Sequence, residues 1–507
     1  MIEDISHNCG VAAVYLKKPL SEYPLGGAAH YLQIMLQHMQ NRGRLSAGIA
    51  GCRPSCGGLY RHVGPGLVHQ LFCLSQHDQH VSLMESLSTL FGIGHVRYAT
   101  SGNALEDRMV IEEAQPFLRI HGNLWKEFAF AYNGNLTNSS SLMKELITAP
   151  HYTVKTNVDT ELMMHLFAID LKILIDHCSE KPSLADLIKK SASRFDGAFS
   201  VAFMNGGGDL IGFRDPHGFR PFVWGQNESL IAFASESLAL NKIGIHHIED
   251  VPPGGYILIS HGETQIGSYA PALPSHCMFE YVYFSRAPSV IGGLTVNTVR
   301  KRLGEELARI EPLIPFLNDE FIVVPVPDTS IPIALSLAKK LGIDFVPAIY
   351  KTEEFGRGFI NKSRERKRVI DGKYTIIAKE VSQRRLIVVE DSVVRGETFN
   401  SLGDALRKNG AKEIHLRSAC PPIRNPCFYG IDFPTTNELI ACDTSTTEDA
   451  EQKVAASLRL DSMKYISLEG LVRAIGLPQG HLCLACLDGK YPTEGGRERF
   501  VQLTRSL

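Results

Sequence analysis

The sequence has almost no net charge: 52 Lys and Arg stand against 54 Asp and Glu, a formal −2. That balance argues against nucleic acid or an anionic membrane as the main partner, although local basic clusters can still meet a small polyanion. No apolar run reaches the roughly 20 residues needed to cross a bilayer. The start, Met1-Ile2-Glu3-Asp4-Ile5-Ser6-His7-Asn8, lacks the basic opening and apolar stretch of a secretory signal. These absences predict a cytoplasmic protein. Internal repeats and low-complexity segments are also lacking, which excludes solenoids and disordered tails. Nor is there an even set of cysteines. The 11 present are scattered, and in a reducing compartment they read as free thiols, metal ligands or catalysts, not as a disulfide framework.

What is present is a chain of 507 residues, too long for one ordinary core, so two or more domains are expected. Gly10–Leu16 is an apolar run long enough for a buried strand, and His30–Gln40 has helical spacing of apolar residues. Gly92–Ala99, Phe128–Tyr132, Ala198–Met204 and Leu210–Arg214 read as strands, and Thr160–Ile175 as a buried helix. The pattern changes at Tyr269-Ala270-Pro271-Ala272-Leu273-Pro274. Beyond it strands and helices alternate: Phe321–Val326, Ser330–Leu341, Asp344–Tyr350, Leu386–Glu390, Thr398–Asn409. Such alternation predicts a parallel sheet with covering helices.

Leu386–Asn409 concentrates the chemistry. An apolar strand ends in the acids Glu390 and Asp391, a short loop carries Arg395 and Gly396, and Thr398 opens a helix. Ligands of open α/β sheets bind at the carboxyl ends of strands. Helix N-termini offer N–H groups and partial positive charge to phosphate. Paired carboxylates hold ribose hydroxyls or a magnesium ion. The competing reading is a solvated acidic turn.

Further blocks occur in order: Cys9-Gly10-Val11, Asn41-Arg42-Gly43, Ser46-Ala47-Gly48, Gly94–Gly102, Tyr132-Asn133-Gly134-Asn135-Leu136, Asp159-Thr160-Glu161, Arg214–Pro221, Ala234-Ser235-Glu236, Phe279–Phe284 and Cys427–Asp432. Taken singly each has an ordinary reading; a lone cysteine beside a strand is more often a small buried hydrophobe. Together they make the chain resemble the amidophosphoribosyltransferase family, in its iron–sulfur subgroup, over nearly its whole length. The resemblance implies an α+β N-terminal-nucleophile glutaminase domain, an αββα sandwich, followed by an α/β type I phosphoribosyltransferase domain with a parallel sheet. It implies a propeptide at 1–8, the glutaminase at 9–268, the transferase at 275–470 and a tail at 471–507. The implied reaction moves ammonia from glutamine to phosphoribosyl pyrophosphate, giving 5-phosphoribosylamine, glutamate and diphosphate.

Residue roles carry over by the same resemblance. Cys9, freed at its α-amine, is the nucleophile, because a thiolate attacks the side-chain amide and the amine can take a proton near neutrality. Asn133 and the Gly134 N–H form the oxyanion hole. Arg97 pairs with the substrate carboxylate and Asp159 with its ammonium. Glu390, Asp391, Ser392, Arg395, Gly396 and Thr398 bind the phosphoribosyl group, and Thr329, Glu390 and Asp391 hold magnesium. The diphosphate turn lies at Val324–Ser330. Lys351–Lys373, with Phe355–Ile360 and the basic run Lys362, Arg364, Arg366, Lys367 and Arg368, resembles a loop that closes over the substrate. A solvated charged loop is the alternative there.

Cys277, Cys427, Cys483 and Cys486 fall where the subgroup holds a 4Fe-4S cluster. Cys420 rivals Cys427, zinc is the second metal, and four reduced thiols are a further alternative. Resemblance also implies a homotetramer and purine nucleotide inhibitors. The chain departs from the family at Ser330, Glu397 and Ile370–Lys373. Those departures motivate a second hypothesis, a degenerate paralogue with glutaminase or ligand-binding activity and a regulatory role. A third, a glutamine amidotransferase of the sugar-isomerase type, is opposed by the phosphoribosyl motif and by Cys427–Asp432.

Overall fold

The strand Gly10–Leu16 lies inside a seven-stranded sheet, paired antiparallel with Phe91–Arg97 on one side and Leu230–Ala234 on the other. In this computed structural model the described residues are 9–53, 58–98, 107–148, 154, 156, 158–177, 182–352 and 374–505. The side chains of 107–109, 177 and 398 are not among the described groups. The expected propeptide, the end of the Gly94–Gly102 block and residues 353–373 of the expected closing loop lie outside the described residues.

The first sheet runs in the order Ile248–Asp250, Val223–Gln226, Leu230–Ala234, Gly10–Leu16, Phe91–Arg97, Ser46–Cys52, Leu59–Pro65. A six-stranded antiparallel sheet follows the order Glu263–Ser268, Gly255–Ser260, Leu210–Arg214, Gly197–Asn205, Phe128–Leu136, Phe117–Arg119. Side chains alternate across each strand. Val11, Ala13 and Ile93 meet Ala129, Ala131 and Ala202 between the sheets. Ala12, Val14 and Leu16 face outward onto the helix Ala28–His38. Phe128, Phe130 and Tyr132 pack on the helices Asp159–His177 and Leu184–Ala192. Helices thus cover both outer faces, and the αββα sandwich is formed. Burial on both faces explains why Gly10–Leu16 reads as a continuous apolar run.

The second half holds a parallel sheet ordered Asp344–Phe345, Phe321–Pro325, Arg385–Glu390, Glu413–Ser418, Ser462–Tyr465. Val323, Ile387 and Val389 pack under the helices Val296–Arg309, Ile331–Leu341 and Leu468–Ile475. Val324, Leu386 and Val388 pack on the opposite face under Glu397–Lys408 and Thr447–Ser457. The expected strand Asp344–Tyr350 is two strands. Asp344–Phe345 joins the parallel sheet, whereas Ile349–Lys351 pairs antiparallel with Tyr374–Ile376. Pro347 lies between them, and a residue without an N–H interrupts a ladder.

The C-terminal segment returns to the first half. Leu482–Cys483 pairs in parallel with His276–Cys277. In the last helix, Glu494–Arg505, Arg499 Nε donates to Thr137 O at 2.6 Å and Gly495 N to Asp196 Oδ2 at 3.2 Å. Among the described residues no helix is long and apolar enough to cross a membrane.

Candidate active site

Cys9 leads into the strand Gly10–Leu16 and is fully buried. Because Gly10 is the register partner of Val96, the end of the neighbouring strand brings Arg97 beside it. Burial pushes the Cys9 thiol up to about 11; the Tyr98 backbone, Arg97 and Arg220 pull it down, and Asp159 raises it further. The thiol therefore stands within electrostatic reach of both expected substrate-binding charges. Asp159 opens its helix, and its Oδ2 accepts from Tyr132 Oη at 2.9 Å and Leu136 N at 3.3 Å.

Asn133 sits on the facing sheet in the strand Phe128–Leu136 and is fully buried. Among the described residues neither its Oδ1 nor its Nδ2 has a hydrogen-bond partner. Buried amides are normally satisfied, so the Asn133 amide is placed to take a partner other than the described residues. At Gly134 a Cβ would lie 1.9 Å from Ala198 O, so no side chain fits there. Arg97 donates from Nη2 to Glu113 Oε2 at 2.5 Å, while its Nε and Nη1 have no acceptor among the described residues. Glu113 had no role in the sequence reading; it lies in irregular backbone, where no periodicity singles it out.

The acid pair terminates the strand Arg385–Glu390, with Asp391 nearly buried in the first loop position. Ser392 Oγ donates to Asp391 Oδ1 at 2.7 Å. Gly396 has φ 75° and precedes the helix Glu397–Lys408. A Cβ there would meet Ile440 Cδ1 at 2.6 Å. Thr398 lies in the first turn. Glu397, the first helical residue, is exposed. Thr329 is half-buried in the turn before Ile331–Leu341, next to Asp328, which pairs with Lys351 at 2.8 Å. Ser330 is buried at φ −81°, ordinary backbone that needs no glycine, and its hydroxyl donates to Val326 O. Arg395 is turned away from the acids. Its Nε donates to Glu438 at 2.9 Å and its Nη2 to Asp432 O at 2.8 Å.

The two sites share a phenol. Burial, then Tyr98, Asp391 and Glu390, push Tyr283 upward. Tyr98 adjoins Arg97, so one ring feels the neighbour of Arg97 and the acid pair together. Tyr283 keeps 44% of its surface exposed. Tyr374 likewise is raised by burial and by Glu390, Asp391, Tyr283 and Asp328.

Motifs without an assigned role join the halves. Arg42 donates to Glu236 at 2.7 Å and to Glu280 at 3.2 and 2.7 Å. Arg220 reaches Glu280 at 3.3 Å and Tyr429 O at 2.9 Å. All four charged side chains are at most 2% exposed.

Cys277 and Cys483 are register partners in the parallel pair, and Arg424 N and Asn425 N donate to Cys486 O. Burial, with Cys427 and Glu280 adding, pushes Cys277 up to about 12 against Arg220. Cys483 and Cys486 are raised by burial and by neighbouring thiols. Cys427 perturbs Cys277, Cys483 and Cys486; Cys420 couples to Cys277 and Cys486. The donor set is therefore sulfur-rich and close-set, with Cys483 buried and Cys277, Cys427 and Cys486 half-buried. Among the described residues, however, no three His, Cys, Asp or Glu side chains converge to hold a metal ion.

Residues 104–242 match the family model described as glutamine amidotransferase domain. The amidophosphoribosyltransferase of Methanothermobacter thermautotrophicus is 37% identical over 498 residues, covering 97% of this chain and 95% of that protein. That of Methanocaldococcus jannaschii is 35% identical, covering 97% and 99%. The solved glutamine phosphoribosylpyrophosphate amidotransferase from B. subtilis, complexed with ADP and GMP, superposes with TM-score 0.80 at 31% identity, covering 96% of this chain and 98% of that one. With kinship of that extent along the whole length, the chain belongs to the amidophosphoribosyltransferase family.

Proposed function

We infer that this protein transfers ammonia from glutamine to phosphoribosyl pyrophosphate, releasing 5-phosphoribosylamine, glutamate and diphosphate. The observation that carries the reading is the placement of the charges: Cys9 feels Arg97 and Asp159, and Tyr283 feels both Tyr98 and the Glu390–Asp391 turn. Domain limits of 9–268, 275–470 and 471–507, with residues 1–8 removed, belong to the same proposal.

Arg97 and Asp159 grip the two ends of the glutamine zwitterion. The Cys9 sulfur adds to the side-chain amide carbon while its proton passes to the freed α-amine. Asn133 Nδ2 and the Gly134 N–H receive the oxyanion. The C–N bond then breaks, ammonia leaves with the returned proton, and water hydrolyses the thioester to glutamate. Ammonia crosses inside the protein, because protonation in bulk water would remove its lone pair. It attacks the anomeric carbon as diphosphate departs.

Glu390, Asp391 and Thr329 would hold a magnesium ion, which when bound neutralises charge on the leaving diphosphate. Two carboxylates suit an ion that keeps most of its shell for water and phosphate. Ser392, Gly396 and the Thr398 turn offer polar groups and helix N–H groups to the 5′-phosphate. Arg395 would have to leave Glu438 to contribute. Cys277, Cys427, Cys483 and Cys486 would hold a 4Fe-4S cluster, which when bound clips the C-terminal segment to the strand before Glu280. By kinship we extend the reading to a cytoplasmic homotetramer inhibited by purine nucleotides.

No observation favours a degenerate paralogue: Ser330 occupies ordinary backbone and Glu397 faces solvent. The deciding experiment incubates metal-replete protein with glutamine, magnesium and phosphoribosyl pyrophosphate. Equimolar glutamate and diphosphate are expected; glutamate without diphosphate would end the transferase reading. Iron and acid-labile sulfide analysis tests the cluster, with zinc the competing result.

A further inference from the structure

One segment outside the assigned residues touches every binding element of the glutamine pocket. Glu113, Ala114 and Gln115 follow the helix Asp107–Glu112 as buried irregular backbone. Glu113 Oε2 accepts from Arg97 Nη2 at 2.5 Å. Two residues on, Gln115 Oε1 accepts from Tyr132 N at 2.7 Å and Gln115 Nε2 donates to Thr160 Oγ1 at 3.3 Å. Tyr132 precedes Asn133, and Thr160 follows Asp159. The segment is therefore fixed at once to the strand carrying Arg97, the strand carrying Asn133 and the helix opened by Asp159.

The charges argue for a geometric duty at Glu113. A glutamine zwitterion already finds its two opposites in Arg97 and Asp159, so a further carboxylate adds nothing to charge matching. Instead it fixes the guanidinium. A charge-assisted bond holds one edge of the fork, and among the described residues Nε and Nη1 have no acceptor. An arginine that is already immobilised loses less freedom when it grips a ligand.

We propose that Glu113 is a positioning residue for glutamine binding: it locks Arg97 so that its remaining N–H groups meet the α-carboxylate, and so sets selectivity for substrates with a free α-carboxylate. This rests on the glutaminase reading of the pocket.

The test compares Glu113→Ala and Glu113→Gln with the parent, using both glutamine and ammonium salts as nitrogen source. Glu113→Ala raises the KM for glutamine about ten-fold or more, since misplacement of a binding group by about 1 Å is enough for such losses. Its ammonia-dependent synthesis stays at the parent rate, which also reports a correctly folded transferase half. Glu113→Gln, which can still accept from Arg97, recovers most of the affinity. A glutamine KM within two-fold of the parent in Glu113→Ala overturns the proposal. So does an equal loss with ammonia, which would make Glu113 a general structural support. A parent protein that forms no glutamate from glutamine removes the glutaminase reading itself, an outcome separate from an unchanged KM in an active parent.

Discussion

At neutral pH a thiol pushed up to about 11 is ionised in roughly one molecule in ten thousand. Cys9 therefore depends on a base at hand, and its own α-amine, once freed, supplies one that titrates near about 7.7–8.0. Since the amine must be unprotonated to accept the proton, glutaminase rate rises with pH through that window, and a pH profile of glutamate release measures it. Cys9→Ala abolishes glutamine-dependent synthesis and leaves ammonia-dependent synthesis intact, as parallel assays with the two nitrogen sources show. On the proposed oxyanion role, Asn133→Ala lowers kcat for glutamine by about 10²–10³-fold with KM little changed, because an amide with no partner among the described residues would serve charge that develops only at the transition state. These side chains were legible in the sequence as members of ordered motifs. Glu113 was not, because it acts through Arg97 from a loop, and no residue spacing encodes a contact across 16 positions.

At the scale of the element, the strand-acid-loop-helix unit was readable because each part has a local cause: an apolar run, a paired acid, a left-handed glycine, a helix start. Its first helical residue was the ambiguous point. Glu397 opens the helix and is exposed, where a carboxylate suits the positive end of the helix dipole. Glu397→Thr is thus expected to change the KM for phosphoribosyl pyrophosphate by less than about two-fold, since an exposed charge is screened within about 10 Å. Gly396→Ala behaves oppositely. A methyl at φ 75° is strained, and it would meet Ile440 Cδ1 at 2.6 Å, so the Ile440 side chain must give way and the loop must relax. That variant raises the KM for phosphoribosyl pyrophosphate and leaves Cys9-dependent glutamate release near the parent value; steady-state kinetics on both substrates separate the effects. The run Asp344–Tyr350 shows where local signals fail. Its apolar residues read as one strand, but Pro347 divides it between two sheets, and which sheet each piece joins is settled by neighbours distant in sequence.

Across the whole molecule, the halves are held by charge that the sequence showed only as isolated motif letters. Arg42 and Glu236 come from the glutaminase half, Glu280 from the connection beyond it, and Arg220 also bonds the carbonyl of Tyr429. Two cations and two anions share one buried site, so the set is neutral only when complete. Burial opposes the charge on Glu280, yet Arg42 and Arg220 outweigh it and hold the carboxyl down to about 2 from the usual 4.5. A carboxylate depressed by folding stabilises the native state above its ordinary value, and that contribution disappears as pH falls from about 4.5 toward about 2. Asp215 and Asp250, raised by burial, work in the other direction, so acid unfolding of the parent alone would mix the terms. The difference between parent and Glu280→Gln isolates the network. The variant leaves two buried arginines with one carboxylate, which is expected to cost about 3–5 kcal/mol at pH 7. Followed by circular dichroism in denaturant, the gap between the two proteins should narrow steadily below pH 4.5, since the parent loses the same charge that the variant lacks. A gap that stays constant down to pH 2 would show that Glu280 contributes by shape and hydrogen bonding, not by its charge. Equal stability at pH 7 would show that the Glu280 charge adds nothing to the junction, which is then held by its other contacts, Phe219 stacked on Tyr429 at 4.2 Å and Arg220 bonded to Tyr429 O among them.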